Sequence, residues 1–402
     1  MSNFIFRFFS GACLSCVIAA APVAAQKSYD PGASDTEIKI GNIAPYTGWG
    51  HEFATVARAE AAYFQMINDR GGIHGRKINF VSIDNASETS KTPDLARKLV
   101  EDDKVLLIFS SIGTESNLAI RDYMNERKVP QLFVESSSAV FDDPLHFPWT
   151  MGFFATYRSE GVAYGKFILQ NHPDAKIGIL YSNDDSGREY LAGLHDGLGD
   201  KASALIVKEV SYQVSSQLLG PQFAALKDSG ANVFVNFAVG PFATQSIRTA
   251  YDLGWHPLQL IPNASLSVAA FLEPAGLDKA AGVICNARSK GWLNPRAQED
   301  PAVSEFLDWM KKYNPEASLR DQNNVAGYER AQALVEVLKK CGDNLTRANV
   351  MKQAANLDLE LSMLRPGIKI QTSPSDYQPI KQLFLIRFDG KQWVPFGGTV
   401  GN

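Results

Sequence analysis

Short apolar runs alternate with longer segments whose apolar residues recur every three or four positions, along nearly the whole chain. "EIKIGNIA" precedes the helical "TVARAEAAYFQMINDRGG", "KINFVSID" precedes "PDLARKLVEDD", "VLLIF" precedes "NLAIRDYMNERK", and "PQLFV" runs into a loop. Strand followed by helix in this order predicts a parallel sheet with crossover helices. The rhythm then restarts, with "AKIGILY" before "GREYLAGLHDGLG", "ALIVKEVSY" before "LLGPQFAALKDSG", "NVFVNFA" before "ATQSIRTAYDLG", "LQLIPN" before "VAAFLEPAG", and finally "AGVICNA". Two similar α/β lobes with parallel sheets are therefore predicted.

The residues that follow these strands are unusually polar. In "VLLIFSSIGTES" the strand delivers Ser110, Ser111, Thr114 and Ser116 to one place around a glycine. Read alone, one of these hydroxyls is equally well a helix N-cap for "NLAIRDYMNERK". The other strand ends read "APYTGWG", "ESSSA", "SNDDSG", "AVGP" and "PNAS". Open parallel sheets bind ligands beyond the carboxyl ends of their strands. Capping accounts for one or two such ends, whereas hydroxyl and carboxamide groups at most of them, with Trp49 and Phe53 beside the first, point to a ligand cleft.

Length and composition narrow the class. The opening "MSNFIFRFFSGACLSCVIAAAPVAAQ" has one basic residue, a short apolar core and small residues up to Ala25, so residues 1–25 read as an export signal and the mature chain is expected to begin near Gln26. Cys16 in "CLSC" is a poor match to a lipidation box. The chain of 402 residues carries 39 Lys and Arg against 43 Asp and Glu, and losing the signal removes one Arg and no acid. That mild acidity excludes a nucleic-acid partner. No later apolar run is long enough to span a bilayer. Of the four cysteines, Cys13 and Cys16 leave with the signal; Cys285 and Cys341 are permitted to bond in an oxidising compartment, but two buried thiols are the preferred reading. No metal-ligand spacing, nucleotide loop or nucleophile elbow occurs, and the six histidines are scattered singly, so neither enzyme chemistry, cofactor nor metal is expected.

The segments "IKIGNIAPYTGWG", "AAYFQMINDRGGIHGRKI", "DNASETSKTPDLARKLVEDDKV", "VPQLFV", "FATYRSEGVAYGKFI" and "ILYSNDDSGREYLAGLHDGL" resemble, in order and spacing, the type I periplasmic solute-binding proteins of the branched-chain amino acid (Leu/Ile/Val) importer class. The resemblance implies two Rossmann-like lobes joined by three crossings at a hinge, with solute held between them. It implies a periplasmic monomer that delivers solute to an ABC permease and its ATPase. The crossings are expected near Gly152–Ala155, Asn286–Lys290 and Pro366–Lys369. That makes residues 26–153 with 287–366 the first lobe, and 154–286 with 367–402 the second.

Site residues follow from the resemblance, position by position. Thr114 holds the place of a hydroxyl that binds the solute carboxylate, with Ser111 close by. Ser137 and Ala139 match the next loop, where the second hydroxyl is missing. Phe53 holds a rim aromatic, Trp49 lies four residues earlier, and Tyr157 lies at the hinge. The second lobe departs from the amino-acid pattern: Asn263 stands where an acid holds the α-ammonium, Ser186 replaces a tyrosine, and Gly240 ends the "VG" that replaces an aromatic before Pro241. An ammonium in a closed cleft without a carboxylate is poorly compensated. Unless Asp184, Asp185 or Glu135 supplies that charge, the expected solute is a small carboxylic acid with an aromatic or branched apolar body. Binding of amino acids for import, or a sensor role with the same binding chemistry, are the alternatives.

Overall fold

The strands predicted from apolar runs form two separate sheets. The computed structural model describes Met1, residues 27–215 and residues 219–401; apart from Met1, the expected export signal over residues 1–25 lies outside the described residues. The first sheet contains β1 (Glu37–Ala44), β2 (Lys77–Asp84), β3 (Leu107–Phe109), β4 (Gln131–Leu132) and β5 (Thr150–Met151). Its order is β2-β1-β3-β4-β5 and every pair is parallel. The second contains β6 (Ile177–Ser182), β7 (Ile206–Tyr212), β8 (Val233–Phe237), β9 (Leu258–Leu260), β10 (Ile284–Ala287), β11 (Gln382–Phe388) and β12 (Trp393–Gly401). Its order is β12-β11-β10-β9-β8-β6-β7, parallel from β7 through β10 and closed by the antiparallel β11 and β12. β3 and β8 are buried at every position, as unbroken apolar strands covered on both faces must be.

Helices cover both sheets. On the first lobe α1 (Ala54–Asp69) and α2 (Thr114–Glu126) are joined by α6 (Pro301–Tyr313) and α7 (Asn323–Cys341), which arrive from late in the chain. On the second lie α3 (Tyr157–Asn171), α4 (Asp185–Leu198) and α5 (Pro241–Asp252). The apolar core of the first lobe runs on through Ile261, Cys285 and Phe384 into the second, so the two share a seam and are not wholly separate cores. Cys285 and Cys341 are both buried free thiols. Among the described residues no helix is long and apolar enough to cross a membrane.

Three passages join the sheets. The chain leaves β5 through Gly152–Thr156 into α3, and leaves β10 through Arg288–Lys290. Lys290 donates to the Met363 carbonyl at 2.8 Å and Arg365 to that of Arg288 at 3.0 Å, which ties the second passage to residues 363–365. Where a third passage was expected at Pro366–Lys369, hydrogen bonds hold the chain on the first lobe for longer. The Thr372 N–H donates to Leu357 at 3.1 Å and the Tyr377 N–H to the Asp142 carboxylate at 2.5 Å, and the second sheet is entered only at Gln382. Local pattern does not reveal this, because the segment's partners lie far away in sequence.

α3 and α4 approach so closely that glycine is required at the contact. A Cβ on Gly161 would lie 2.4 Å from the Tyr190 carbonyl oxygen, and one on Gly193 would lie 2.1 Å from that of Arg158. One turn on, Gly165 meets Gly197 in the same way. Gly161→Ala is expected to destabilise the protein by about 1–3 kcal/mol through overpacking, measured by urea unfolding, whereas Gly220→Ala, with nothing within 4 Å of its Cβ position, should stay within about 0.5 kcal/mol.

Candidate functional site

Each sheet reverses its order once. β1 has β2 on one side and β3 on the other, and β6 lies likewise between β7 and β8. Loops leaving such switch points diverge and open a crevice. Here the two crevices face each other and enclose a cavity of about 580 Å³. Trp49, Phe53, Thr114 and Ser137 line it from the first lobe, Tyr157 from the start of α3, and Ser186 and Asn263 from the second lobe.

Three other expected residues do not line it. Ser111 is fully buried, and its carbonyl braces the loop by accepting from Asn117 Nδ2 at 2.7 Å and from the Glu135 N–H at 2.9 Å. Ala139 is exposed and donates its N–H to Glu189 at 2.7 Å, so it bridges the lobes outside the cavity. Gly240 has a positive φ of 59° that favours glycine, and a Cβ there would meet the Trp49 ring of the opposite lobe at an ordinary contact distance of 3.5 Å. These placements depend on which face of a loop turns inward, which spacing along the chain does not encode.

At Thr114 the capping reading does not hold. Gly113, at φ 102°, precedes α2 and no side chain caps that helix. The Thr114 hydroxyl lies 2.8 Å from that of Ser136, and the Tyr157 hydroxyl reaches the same pair. Burial raises the Tyr157 pKa, so its proton is retained as a donor. Since residues 113–116 all line the cavity, this cluster of neutral hydroxyls sits beside the positive end of a helix. Such a wall suits an anion.

Three of the acids near the cleft, Asp184, Asp185 and Glu135, already have partners, whereas Glu115 on the cavity wall has no cation beside it among the described residues. Asp184 caps α4, accepting at one oxygen from the Gly187 N–H at 2.8 Å, the Ser182 hydroxyl at 2.8 Å and the Ser186 hydroxyl at 2.7 Å. Asp185 pairs with Arg188 at 2.6 Å on the surface. The Glu135 carboxylate contacts the fully buried Arg330, which lies 3.3 Å from Glu60. Glu115 at the cavity wall has its pKa raised, chiefly by burial.

Arg288, the first residue after β10, was not anticipated. It lines the cavity at 8 % exposure, its Nε donating to Glu329 at 3.2 Å and its guanidinium lying over the Phe154 ring at 4.2 Å. One Nη lies 3.4 Å from the Asn263 side-chain oxygen, and the Asn263 amide nitrogen donates to the Asn286 carbonyl at 2.8 Å. Burial lowers the Arg288 pKa while Glu329 opposes that. The signal in the sequence is the basic pair in "ARSKG", directly after the strand "AGVICNA". Among the described residues no group of three or more His, Cys, Asp or Glu side chains could hold a metal ion.

The profile of the periplasmic binding protein family matches residues 37–392. The chain belongs to that family. A curated relative, the Leu/Ile/Val-binding protein homolog 2 of Brucella abortus, is 25% identical over 379 residues, covering 92% of this chain and 94% of the relative. The structure of a branched-chain amino acid ABC transporter from Thermus thermophilus with bound valine superposes with a TM-score of 0.79 at 17% identity, covering 92% of this chain and 98% of that one. A solute-binding protein of an ABC transporter from R. palustris in complex with benzoate superposes with a TM-score of 0.75 at 17% identity, covering 91% and 98%. At such identities the superpositions establish the shared fold.

Behind Asn263 lies Glu160 of α3, a buried carboxyl that accepts the Asn263 N–H at 2.7 Å and the Tyr164 hydroxyl at 3.2 Å. Burial pushes its pKa from 4.5 up to about 7, against the Asn263 hydrogen bond, which lowers it. A raised carboxyl pKa contributes stability below pH 4.5 that is lost as the pH rises through about 7. Glu160→Gln keeps an acceptor for Asn263 and removes the ionisation. At pH 8 it should be more stable than the parent by up to about 3 kcal/mol, at about 1.4 kcal/mol per pH unit, and nearly equal at pH 4. Parallel stability profiles for the two proteins across this range would contradict the assignment.

Proposed function

We infer that this family member is the extracytoplasmic solute-binding component of an ABC importer, and that its solute is a carboxylic acid without an α-ammonium. On this reading the mature chain works in the periplasm as a monomer, closes its lobes on the solute and presents it to a permease and ATPase, with no turnover. The carboxylate would sit at Thr114 and Ser137, where the Thr114, Ser136 and Tyr157 hydroxyls and the first turn of α2 supply oriented donors. Trp49 and Phe53 would pack on an aromatic or branched apolar body.

One observation carries the exclusion of the ammonium: the Arg288 guanidinium lies 3.4 Å from the Asn263 side-chain oxygen. Asn263 holds the place of the ammonium-binding acid, so an ammonium there would meet a cation instead of a carboxylate. Asp184, Asp185 and Glu135 are held by a helix cap, Arg188 and Arg330, and burial raises the pKa of Glu115, the remaining acid beside Thr114. A carbonyl or other neutral acceptor beside Asn263 and Arg288 is compatible with their donors. The benzoate bound by the R. palustris neighbour is an acid of this kind, and the valine bound by the Thermus neighbour is not.

Two measurements test the reading. In a thermal-shift and calorimetric comparison, 4-methyl-2-oxopentanoate and phenylpyruvate should bind at least about tenfold tighter than leucine and phenylalanine, a difference of about 1.4 kcal/mol. Tighter binding of the amino acids would overturn it. Separately, Thr114→Val should weaken the bound acid by about 1–2 kcal/mol without loss of stability. Equal affinity in that variant would remove Thr114 from the carboxylate site.

A further inference from the structure

Glu189, in the second turn of α4, reaches across the cleft to the first lobe. Its Oε1 accepts the Ala139 N–H at 2.7 Å, at the start of the one-turn 3₁₀ helix Ala139–Phe141. Its Oε2 is buried and, among the described residues, has no hydrogen-bond partner, although the Ser138 hydroxyl lies nearby. Ser137, two residues before Ala139, lines the cavity, and its carbonyl accepts the Tyr157 N–H at 2.7 Å. One carboxyl of the second lobe therefore grips, from outside the cavity, a loop that forms part of the first lobe's cavity wall.

The cations near Glu189 are engaged elsewhere. Arg158 of α3 is held by Asp196 at 2.6 Å, and Arg188 of α4 by Asp185 at 2.6 Å. On the first lobe, Arg121 of α2 donates to the Val140 carbonyl at 3.1 Å and lies over the Phe147 ring, while Glu115 of α2 faces Asp184 and Asp185 across the same interface. Tyr157 of α3 and Tyr190 of α4 are the other titratable neighbours. Closing the lobes thus takes the Glu189 carboxyl out of water and gives it an N–H in place of a cation. Burial raises its pKa, and Asp185 adds to that, against the Ala139 and Ser138 groups and Arg158, which lower it. A carboxyl whose pKa is higher in the closed form than in the open one binds protons on closure, so closure is favoured as the pH falls toward the ordinary 4.5 and disfavoured above the raised value. We propose that Glu189 couples lobe closure to proton uptake, so that the protein holds its solute more tightly in acidic than in alkaline medium. The proposal rests on closure of the two lobes and not on which solute they enclose.

Hydrogen exchange at Ala139 reads this coupling without any solute, because its N–H is bonded across the lobes only while they are closed. After correction for the exchange rate of a free amide, its protection should be at least about threefold greater at pH 5 than at pH 8. The Asn117 N–H, which donates to the Gly113 carbonyl at 3.1 Å within the first lobe, should show no such change. Glu189→Gln keeps an acceptor for Ala139 and cannot ionise, so it should cut the change to less than half. Glu189→Ala should remove the protection of Ala139 at both pH values and spare Asn117, so either variant suffices if the other misfolds. In calorimetry on the mature protein, whichever of phenylpyruvate and phenylalanine binds should bind about threefold tighter at pH 5 than at pH 8, since both keep their charge over this range. Equal protection of Ala139 at the two pH values, or an undiminished change in Glu189→Gln, overturns the proposal. Loss of acid binding with the Ala139 profile intact counts against the carboxylate reading alone.

Discussion

The close approach of α3 and α4 holds the second lobe to the site. Gly161, Gly165, Gly193 and Gly197 let two backbones meet where any Cβ would collide with a carbonyl or a neighbouring glycine. Because α3 begins at the first passage and α4 begins at the cleft loop after β6, this one contact sets the hinge and one cleft wall together. It places Tyr157 and Tyr190 with ring centroids 4.6 Å apart and puts Glu160 under the Asn263 amide. Gly187 extends the same logic to the loop, since a Cβ there would strike the Ser182 carbonyl and break the Asp184 cap.

Electrostatics in the cleft are governed by pairing. Burying a charge is tolerated when a partner and hydrogen bonds compensate it. Arg288 with Glu329 and Asp184 with a helix start each meet that condition, while the fully buried Arg330 is compensated by the nearby charges of Glu60 and Glu135 without a satisfying hydrogen bond among the described residues. What is left on the cavity wall is a set of neutral hydroxyls, a helix start, the Glu115 carboxyl and a guanidinium whose Nε already meets a carboxylate.

Direct contacts link the lobes around the cavity. Ala139 meets Glu189, the Ser267 hydroxyl donates to Asp321, the Val268 N–H donates to Gln322, and the Phe53 and Phe271 ring centroids lie 5.8 Å apart. None of these touches the hydroxyl cluster at Thr114, although Phe53 both bridges the lobes and lines the cavity.

Local sequence determined the strands, the crossover helices, the two parallel sheets and the loops that form the cleft, because alternating burial leaves a periodic trace and strand ends in parallel sheets have a known fate. The resemblance to the family's pattern put Thr114, Ser137, Trp49, Phe53, Tyr157, Ser186 and Asn263 at the expected site, and these residues do line the cavity. Tertiary structure alone decided that Ser111 turns into the core, that Ala139 bridges the lobes and that Gly240 sits against Trp49 of the opposite lobe. It alone decided that residues 370–379 stay with the first lobe, and that Arg288 stands beside Asn263. The physical reason is common to all of these. Each depends on a partner tens to hundreds of residues away, and hydrophobic periodicity reports how a residue sits in its own element, not which distant side chain meets it there.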